Sequence, residues 1–240
     1  MTGTACAPGL QLHLGCGKTH LEGWINCDET RHSPHVDAAF DLMGPWPYAP
    51  NTVQAVYASH VLEHLPDPLY FFRELWRVLQ PVSNVLVRVP HGGHHSAMAD
   101  LTHLHHYWPE TFAFLQPGYR EANGNPQHET DGVYFGIAAM EVRLAAGVIP
   151  WLRWRLLRRP VIAALPYLPQ TREELWASLF PLKTPEAQAT YRATHPPTLV
   201  PLTYFVYAHD WTRRPLPEGA AVDRCYVATC RAHRRLPGFI

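Results

Sequence analysis

Four short apolar runs punctuate the first ninety residues, and each is bounded by residues that turn the chain. Leu10–Leu14 leads into Gly15-Cys16-Gly17, and Trp24–Cys27 ends at Asp28. Val53–Ala58 is entered through Ala49-Pro50-Asn51, and Val85–Val89 stops at Pro90. Short apolar runs between turn signals read as strands. Between the last two, Leu69, Phe72, Leu75, Trp76 and Leu79 recur at three- and four-residue spacing, behind Pro68 and before Pro81. That period is a helix with one buried face. Strands buried on both faces and separated by helices predict an α/β fold, with a Rossmann-like, mostly parallel sheet and helices on both faces.

The second half is patterned differently. Tyr134–Leu144 fits a strand with a helix or loop attached. Trp151–Leu168 is apolar and basic, and Pro150, Pro160, Pro166 and Pro169 break it. Glu173–Leu182 reads as a helix, whereas Leu202–Ala208 and Arg224–Arg231 read as strands that form a closing antiparallel pair. The expected organisation is one domain over 1–240. Its core is 10–115, a helical insertion or cover spans 145–200 before the last strands, and the C-terminal elaboration is loop-rich.

Composition narrows the partners. Of 240 residues, 47% are hydrophobic, enough for a sizeable core and against global disorder. Twenty basic residues balance 20 acidic ones, so nucleic acid is not an expected partner. The five cysteines, Cys6, Cys16, Cys27, Cys225 and Cys230, are odd in number and include no C-x-x-C pair. A disulfide framework or zinc ribbon is therefore not expected. No basic segment followed by an apolar run opens the chain, and no apolar stretch approaches the ~20 residues of a membrane span. A reducing cytoplasm is the expected location. Nothing in the sequence fixes the oligomeric state.

Candidate chemistry begins at the end of the first strand. Gly15 and Gly17 let the backbone turn sharply and approach a ligand without Cβ interference. Asp28 ends the second strand, where a carboxylate can accept from both hydroxyls of a ribose. Asp41-Leu42 follows a third short apolar element, where a carboxylate and a backbone N–H can read an adenine edge. Ligands in this architecture bind at the carboxyl ends of parallel strands. Taken singly, each aspartate would equally serve as a turn residue.

The run Leu12-His-Leu-Gly-Cys-Gly-Lys-Thr-His-Leu-Glu-Gly-Trp-Ile-Asn-Cys-Asp28 resembles the first motif and second strand of class I S-adenosylmethionine (SAM)-dependent methyltransferases. It is most similar to the subgroup with an L-x-L-G-C-G…G-W-x-N-x-D opening and a much shortened first helix. Val53–Pro90 resembles the same family's fourth strand, L-E-H element, helix and fifth strand, with Leu79-Gln-Pro-Val-Ser-Asn84 where the family commonly has L-K-P-G-G. The resemblance covers roughly 10–115. It implies that Gly15, Cys16 and Gly17 pass under the methionine part of SAM. Asp28 would hold the ribose, Asp41 with Leu42 would meet the adenine, and Ser59 and His60 would line the methionine and sulfonium side. Glu63 and His64 would stand beside the pocket. Glu63 would equally serve as a carboxylate at a helix start.

A second constellation is rich in histidine. His91, His94, His95, His103, His105 and His106 fall within one stretch that also carries Asp100, Thr102, Tyr107 and Trp108. Its Asp-x-Thr-His portion resembles a D-P-T-H-x-R-x-F/Y element of related methyltransferases, with Leu101 in place of the proline. Three readings stand open. His103 or His91, with Asp100, acts as a general base on an acceptor hydroxyl. Alternatively, His91, His95, Asp100 and His103 bind a divalent metal that lowers that hydroxyl's pKa. In the third reading the loop only packs. Trp151–Arg159 mixes aromatic and basic residues; it would either cover the sheet or, with the rest of 151–168, touch a membrane surface.

The resemblance implies a SAM-dependent methyltransferase, with O-methylation of a sugar, glycan or small metabolite as the expected reaction. Two other classes compete: a non-catalytic SAM- or metal-binding module, and an NAD-dependent oxidoreductase. The latter should show G-x-G-x-x-G opening a full helix, but position 20 is His.

Overall fold

Leu12 and Leu14 pack into the main apolar core, while His13 between them is buried on the other face against Asn26 and Tyr57. A strand buried on both faces belongs in the middle of a sheet. The computed structural model describes residues 9–122, 132–144, 170, 172–195 and 202–205. It places this first strand, β1 (Leu10–Leu14), third in an eight-stranded sheet. The other strands are β2 (Ile25–Asp28), β3 (Ala38–Ala39), β4 (Val53–Ser59), β5 (Leu79–Pro90), β6 (Phe135–Leu144), β7 (Arg172–Pro181) and β8 (Leu202–Phe205). Their order is β3-β2-β1-β4-β5-β7-β6-β8.

β1 through β5 pair in parallel, as expected. β1 has β2 on one side and β4 on the other, so the strand order reverses there. Such a reversal opens a crevice at the carboxyl ends of the strands.

α1 (Pro68–Val78) joins β4 to β5. Asp67 caps it by accepting from the Tyr70 N–H at 3.0 Å, and Pro68 occupies the first turn, where its missing N–H costs nothing. The helix buries Phe71, Phe72, Leu75 and Val78 in the core that holds Leu12, Leu14, Val56 and Val87. Burying Phe71 completely contributes about 2–3 kcal/mol. The expected periodicity is shifted slightly: Leu69 stays partly exposed, and the helix ends at Val78 rather than continuing to Pro81. Leu79 turns extended and opens β5 by pairing with Val53.

Between β1 and β2 the chain makes only turns, the shortened connection that the motif implies. Leu21 and Trp24 from this connection cover Ala55, Tyr57 and Leu86 on the face opposite α1. Asn26 holds it in place. Its amide donates to the carbonyls of Leu21 and Trp24 at 3.2 and 3.1 Å, and its oxygen accepts from the Leu21 N–H at 2.9 Å.

The second half departs from expectation. Glu173–Leu182 is not a helix; it forms the antiparallel strand β7, inserted between β5 and β6. Leu175, Ala177 and Leu179 enter the main core while Glu174, Trp176 and Ser178 are buried on the other face. Burial on both sides removes the polar alternation that marks a half-exposed strand. The antiparallel member of the sheet is thus β7, whereas Leu202–Phe205 runs parallel to β6 at the edge. The expected closing partner, Arg224–Arg231, lies outside the described residues, as do Trp151–Leu168, Cys6, Cys225 and Cys230. Of the expected cover over 145–200, the described part forms β7 and a helix at Pro185–Thr194. Short helices at His95–Ala99 (α2), Pro109–Ala113 (α3) and Tyr119–Ala122 (α4) follow β5; Pro185–Thr194 is α5. Among the described residues no helix is long and apolar enough to cross a membrane.

Candidate active site

The carboxyl ends of the first four strands open onto one cleft of about 590 Å³, whose walls include Gly15, Asp28, Asp41, Leu42, His60 and Val61. Gly15 is fixed by two separate constraints. Its φ is +60°, and a Cβ there would stand 2.3 Å from Val61 Cγ2. Gly17 also has a left-handed φ, +55°, but a Cβ would meet nothing within 4 Å. Only backbone conformation demands glycine at that position.

Asp28 closes the glycine turn. Its Oδ2 accepts from the Gly17 N–H at 2.7 Å and its Oδ1 from the Glu29 N–H at 2.8 Å. A carboxylate has about four acceptor sites, so capacity remains for ligand hydroxyls. Cys16 is buried beneath it with Sγ 3.8 Å from Asp28 Oδ2. Burial, followed by the Asp28 charge, pushes the thiol up to about 11. It stays protonated at neutral pH and serves the turn rather than acting as a nucleophile. Asp41 Oδ1 accepts from the Met43 N–H at 2.8 Å. This bond folds the chain after β3 into an Asx turn that sets Leu42 and Met43 in the cleft wall.

His60, just after β4, has φ +55°, a conformation that non-glycine residues rarely adopt. Its Nδ1 lies 3.3 Å from Glu63 Oε1 and its Nε2 lies 3.3 Å from Glu174 Oε1. Burial opposes its charge, but Glu174 and Glu63 together outweigh this and raise its pKa to about 9. At neutral pH this ring is an imidazolium. Glu174 comes from β7 and also accepts from Arg88 Nη2, Trp176 Nε1 and Arg143 Nη1 at 2.9, 2.9 and 3.3 Å. Burial works against its ionisation, yet His60, Arg88, Trp176 and Arg143 hold its carboxyl well below the usual range. Titration of the His60 ring by NMR should give a midpoint near 9, and Glu174→Gln should bring it down toward 6.5, the ordinary value for histidine. The folded pKa is the higher one. Any stability His60 contributes is therefore complete below about 6.5 and disappears as pH rises through about 9. A midpoint below 7 in the wild type would contradict the two-carboxylate bridge.

The histidine segment after β5 is split by the fold. His91 is fully buried; its Nδ1 accepts from the Gly93 N–H at 2.9 Å, and its ring meets Trp108 edge-on at 4.9 Å. Burial, helped by Arg172 and His94, lowers its pKa to about 4. Its proton therefore sits on Nε2, and its Nδ1 lone pair is taken up by the Gly93 N–H. His95 is exposed, with Nδ1 3.0 Å from Gln170 Oε1. Asp100 Oδ1 accepts from the Thr102 N–H and hydroxyl at 2.9 and 2.7 Å, and its Oδ2 lies 3.7 Å from His103 Nε2. Asp100 and His103 are thus neighbours, whereas His91 and His95 are committed elsewhere.

A different group converges. The segment after α2 is laced to a 3-10 turn, Leu62–His64. The N–H groups of Leu104 and His105 donate to the Glu63 carbonyl at 2.7 and 3.3 Å, and the Tyr107 hydroxyl donates to the Leu62 carbonyl at 3.0 Å. His103 is thereby brought against Glu63 and His64. Of the residues expected to bind a cofactor, Gly15, Asp28, Asp41, Leu42 and His60 line the cleft. Cys16 and Gly17 form the turn behind it, Ser59 ends β4, and Glu63 is buried behind His64. Sequence reasoning missed Val61, Phe40 and Met43 in the cleft wall, and Glu174 behind His60. A hydrophobic residue seven positions before the helix proline carries no signal, and Glu174 lies in a segment whose pattern reads as helical.

Residues 27–87 match a family model described as a methyltransferase domain. The match runs from β2 through β4 and α1 into β5 and contains Asp28, Asp41, Ser59, His60 and Glu63. No curated protein matches the chain. Among solved structures, a SAM-dependent methyltransferase from Archaeoglobus fulgidus is similar at 15% identity over 72% of this chain and 86% of that one, with a TM-score of 0.47. A SAM-dependent methyltransferase from Mesorhizobium loti is similar at 13% identity over 71% and 90%, with a TM-score of 0.42.

Proposed function

We propose that this protein is a SAM-dependent methyltransferase that methylates an oxygen of a small-molecule or glycan acceptor. The observation that carries the reading is the convergence of Gly15, Asp28, Asp41-Leu42 and His60, from four successive strand ends, on one cleft. The methyltransferase-domain match over 27–87, which contains Asp28, Asp41, Leu42 and His60, supports it. Asp28 would accept from the ribose hydroxyls, the turn at Asp41-Leu42 would meet the adenine, and Gly15 would let the methionine part lie against the backbone. His60, its two ring nitrogens held beside Glu63 and Glu174, would border the methionine part.

SAM supplies an already activated methyl group, so the chain's task is alignment and removal of one proton. An acceptor oxygen approaches in line; its C–O bond forms as the S–CH₃ bond breaks, and the hydroxyl proton must leave. His64 borders the cleft, with Glu63 and His103 beside it, so the proton leaves at that edge.

An oxidoreductase reading finds no support, since the connection after the glycine turn has no helix to receive a pyrophosphate. Calorimetry should show binding of SAM and S-adenosylhomocysteine, and none of NAD. Failure of both SAM species to bind would overturn the reading. Methyl transfer from labelled SAM to hydroxylated acceptors separates an enzyme from a module that merely binds.

A further inference from the structure

We infer that Glu63, His64 and His103 form a site for one divalent transition-metal ion at the edge of the cleft. One ligand atom from each residue lies within 4.8 Å of the other two. Bonds of about 2.0–2.2 Å to nitrogen and oxygen require the triangle to close around the ion. The donor set, two imidazoles and a carboxylate, suits ions of the manganese-to-zinc series and leaves coordination positions open.

Both oxygens of Glu63 carry the argument. The side chain is 1% exposed, and neither oxygen has a hydrogen-bond partner. His60 Nδ1, 3.3 Å from Oε1, attracts the charge without hydrogen-bond geometry. A buried carboxylate is costly unless its lone pairs are engaged. An ion held between Glu63 and the two imidazoles would engage them.

The rings are set for the same purpose. His103 Nδ1 lies 2.9 Å from the Ala97 carbonyl, which can only accept, so this nitrogen donates. His64 Nδ1 faces the Thr102 carbonyl at 3.3 Å and the Thr102 hydroxyl at 3.0 Å; that hydroxyl already donates to Asp100 Oδ1 at 2.7 Å. His64 Nδ1 therefore donates as well. Each ring is left with a lone pair on Nε2. Fixing Nδ1–H on a backbone carbonyl is how metal-binding histidines have their tautomer and orientation set. The two rings meet edge to face, with centroids 4.8 Å apart. His64 lines the cleft while Glu63 is buried, so an ion here would present its open positions toward an acceptor. On the methyltransferase reading, such an ion would coordinate the acceptor hydroxyl and ease its deprotonation.

The test uses the untagged full-length chain, stripped with chelator and titrated with Co²⁺, followed by its visible absorption and by Zn²⁺ competition. One Co²⁺ per chain is expected. His64→Ala, at an exposed position, and His103→Ala should each weaken binding by at least about 10-fold, the scale set by disturbing a metal shell. His95→Ala should leave it unchanged, whereas an ion held by His91, His95, Asp100 and His103 would lose affinity. Absence of a stoichiometric site, loss on His95→Ala, or full affinity in His64→Ala and His103→Ala would overturn the inference. SAM calorimetry on the same preparations keeps the two proposals distinct. SAM binding without Co²⁺ binding removes only the metal site, and the reverse removes only the methyltransferase reading.

Discussion

Asp28→Ala should weaken SAM binding by at least about 100-fold while the chain remains folded. A hydrogen bond to a charged acceptor contributes about 1.5–3 kcal/mol, and two ribose hydroxyls would lose theirs together. That sum corresponds to a factor of about 10² to 10⁴ in affinity. Part of the loss would come from the turn itself, because Asp28 Oδ2 also accepts from the Gly17 N–H at 2.7 Å. Asp28→Asn separates the contributions: the amide oxygen can still hold Gly17, but the charge and one acceptor are gone, so an intermediate loss is expected. Calorimetry gives the affinities and thermal melts give the folding. An alanine variant that binds SAM within threefold of the wild type would remove Asp28 from the ribose role and leave it a turn residue.

The sequence makes the N-terminal sheet legible because its strands are short and sharply punctuated. Gly15, Asp28 and Pro90 each stand at or just beyond a strand's carboxyl end, where the architecture places ligands. α1 is legible because only one of its faces is apolar, which leaves a three- and four-residue period. β7 is not, for the opposite reason. Leu175, Trp176, Ala177, Ser178 and Leu179 are all buried, so the segment carries no polar face to set a period of two. Losing β7 hides Glu174, and with it the carboxylate that helps hold His60 charged.

The histidine segment shows a different limit. Its residue types announce proton or metal chemistry, but proximity in sequence groups them wrongly. His91 turns its acceptor nitrogen onto Gly93, and His95 turns to Gln170. His103 instead meets Glu63 and His64, brought close by contacts such as Thr102 to His64, which are 38 positions apart. Hydrogen bonds from Leu104 and His105 to the Glu63 carbonyl create that neighbourhood. A backbone register of this kind leaves no periodic trace in the sequence.

Gly15→Ala should cost about 2–4 kcal/mol and abolish most SAM binding, whereas Gly17→Ala should cost only about 1–2 kcal/mol. Both positions are left-handed, which penalises any Cβ by about 1–2 kcal/mol. At Gly15 alone, that Cβ also falls 2.3 Å from Val61 Cγ2. Val61 is buried and branched at Cβ, so its methyl cannot swing aside without leaving its rotamer. Overpacking of this kind costs about 1–3 kcal/mol. Relief by moving Val61 would displace a wall of the cleft. For a chain of this size the melting temperature should fall by about 5–15 °C. Val61→Ala in the Gly15→Ala background provides the decisive comparison. It removes the collision but leaves the left-handed strain, so the double variant should recover stability relative to Gly15→Ala and approach the penalty of Gly17→Ala plus that of Val61→Ala alone. The cycle should therefore show coupling of at least about 1 kcal/mol between positions 15 and 61. Strict additivity, or equal losses at Gly15 and Gly17, would mean that contact with Val61 does not set the first glycine of the turn.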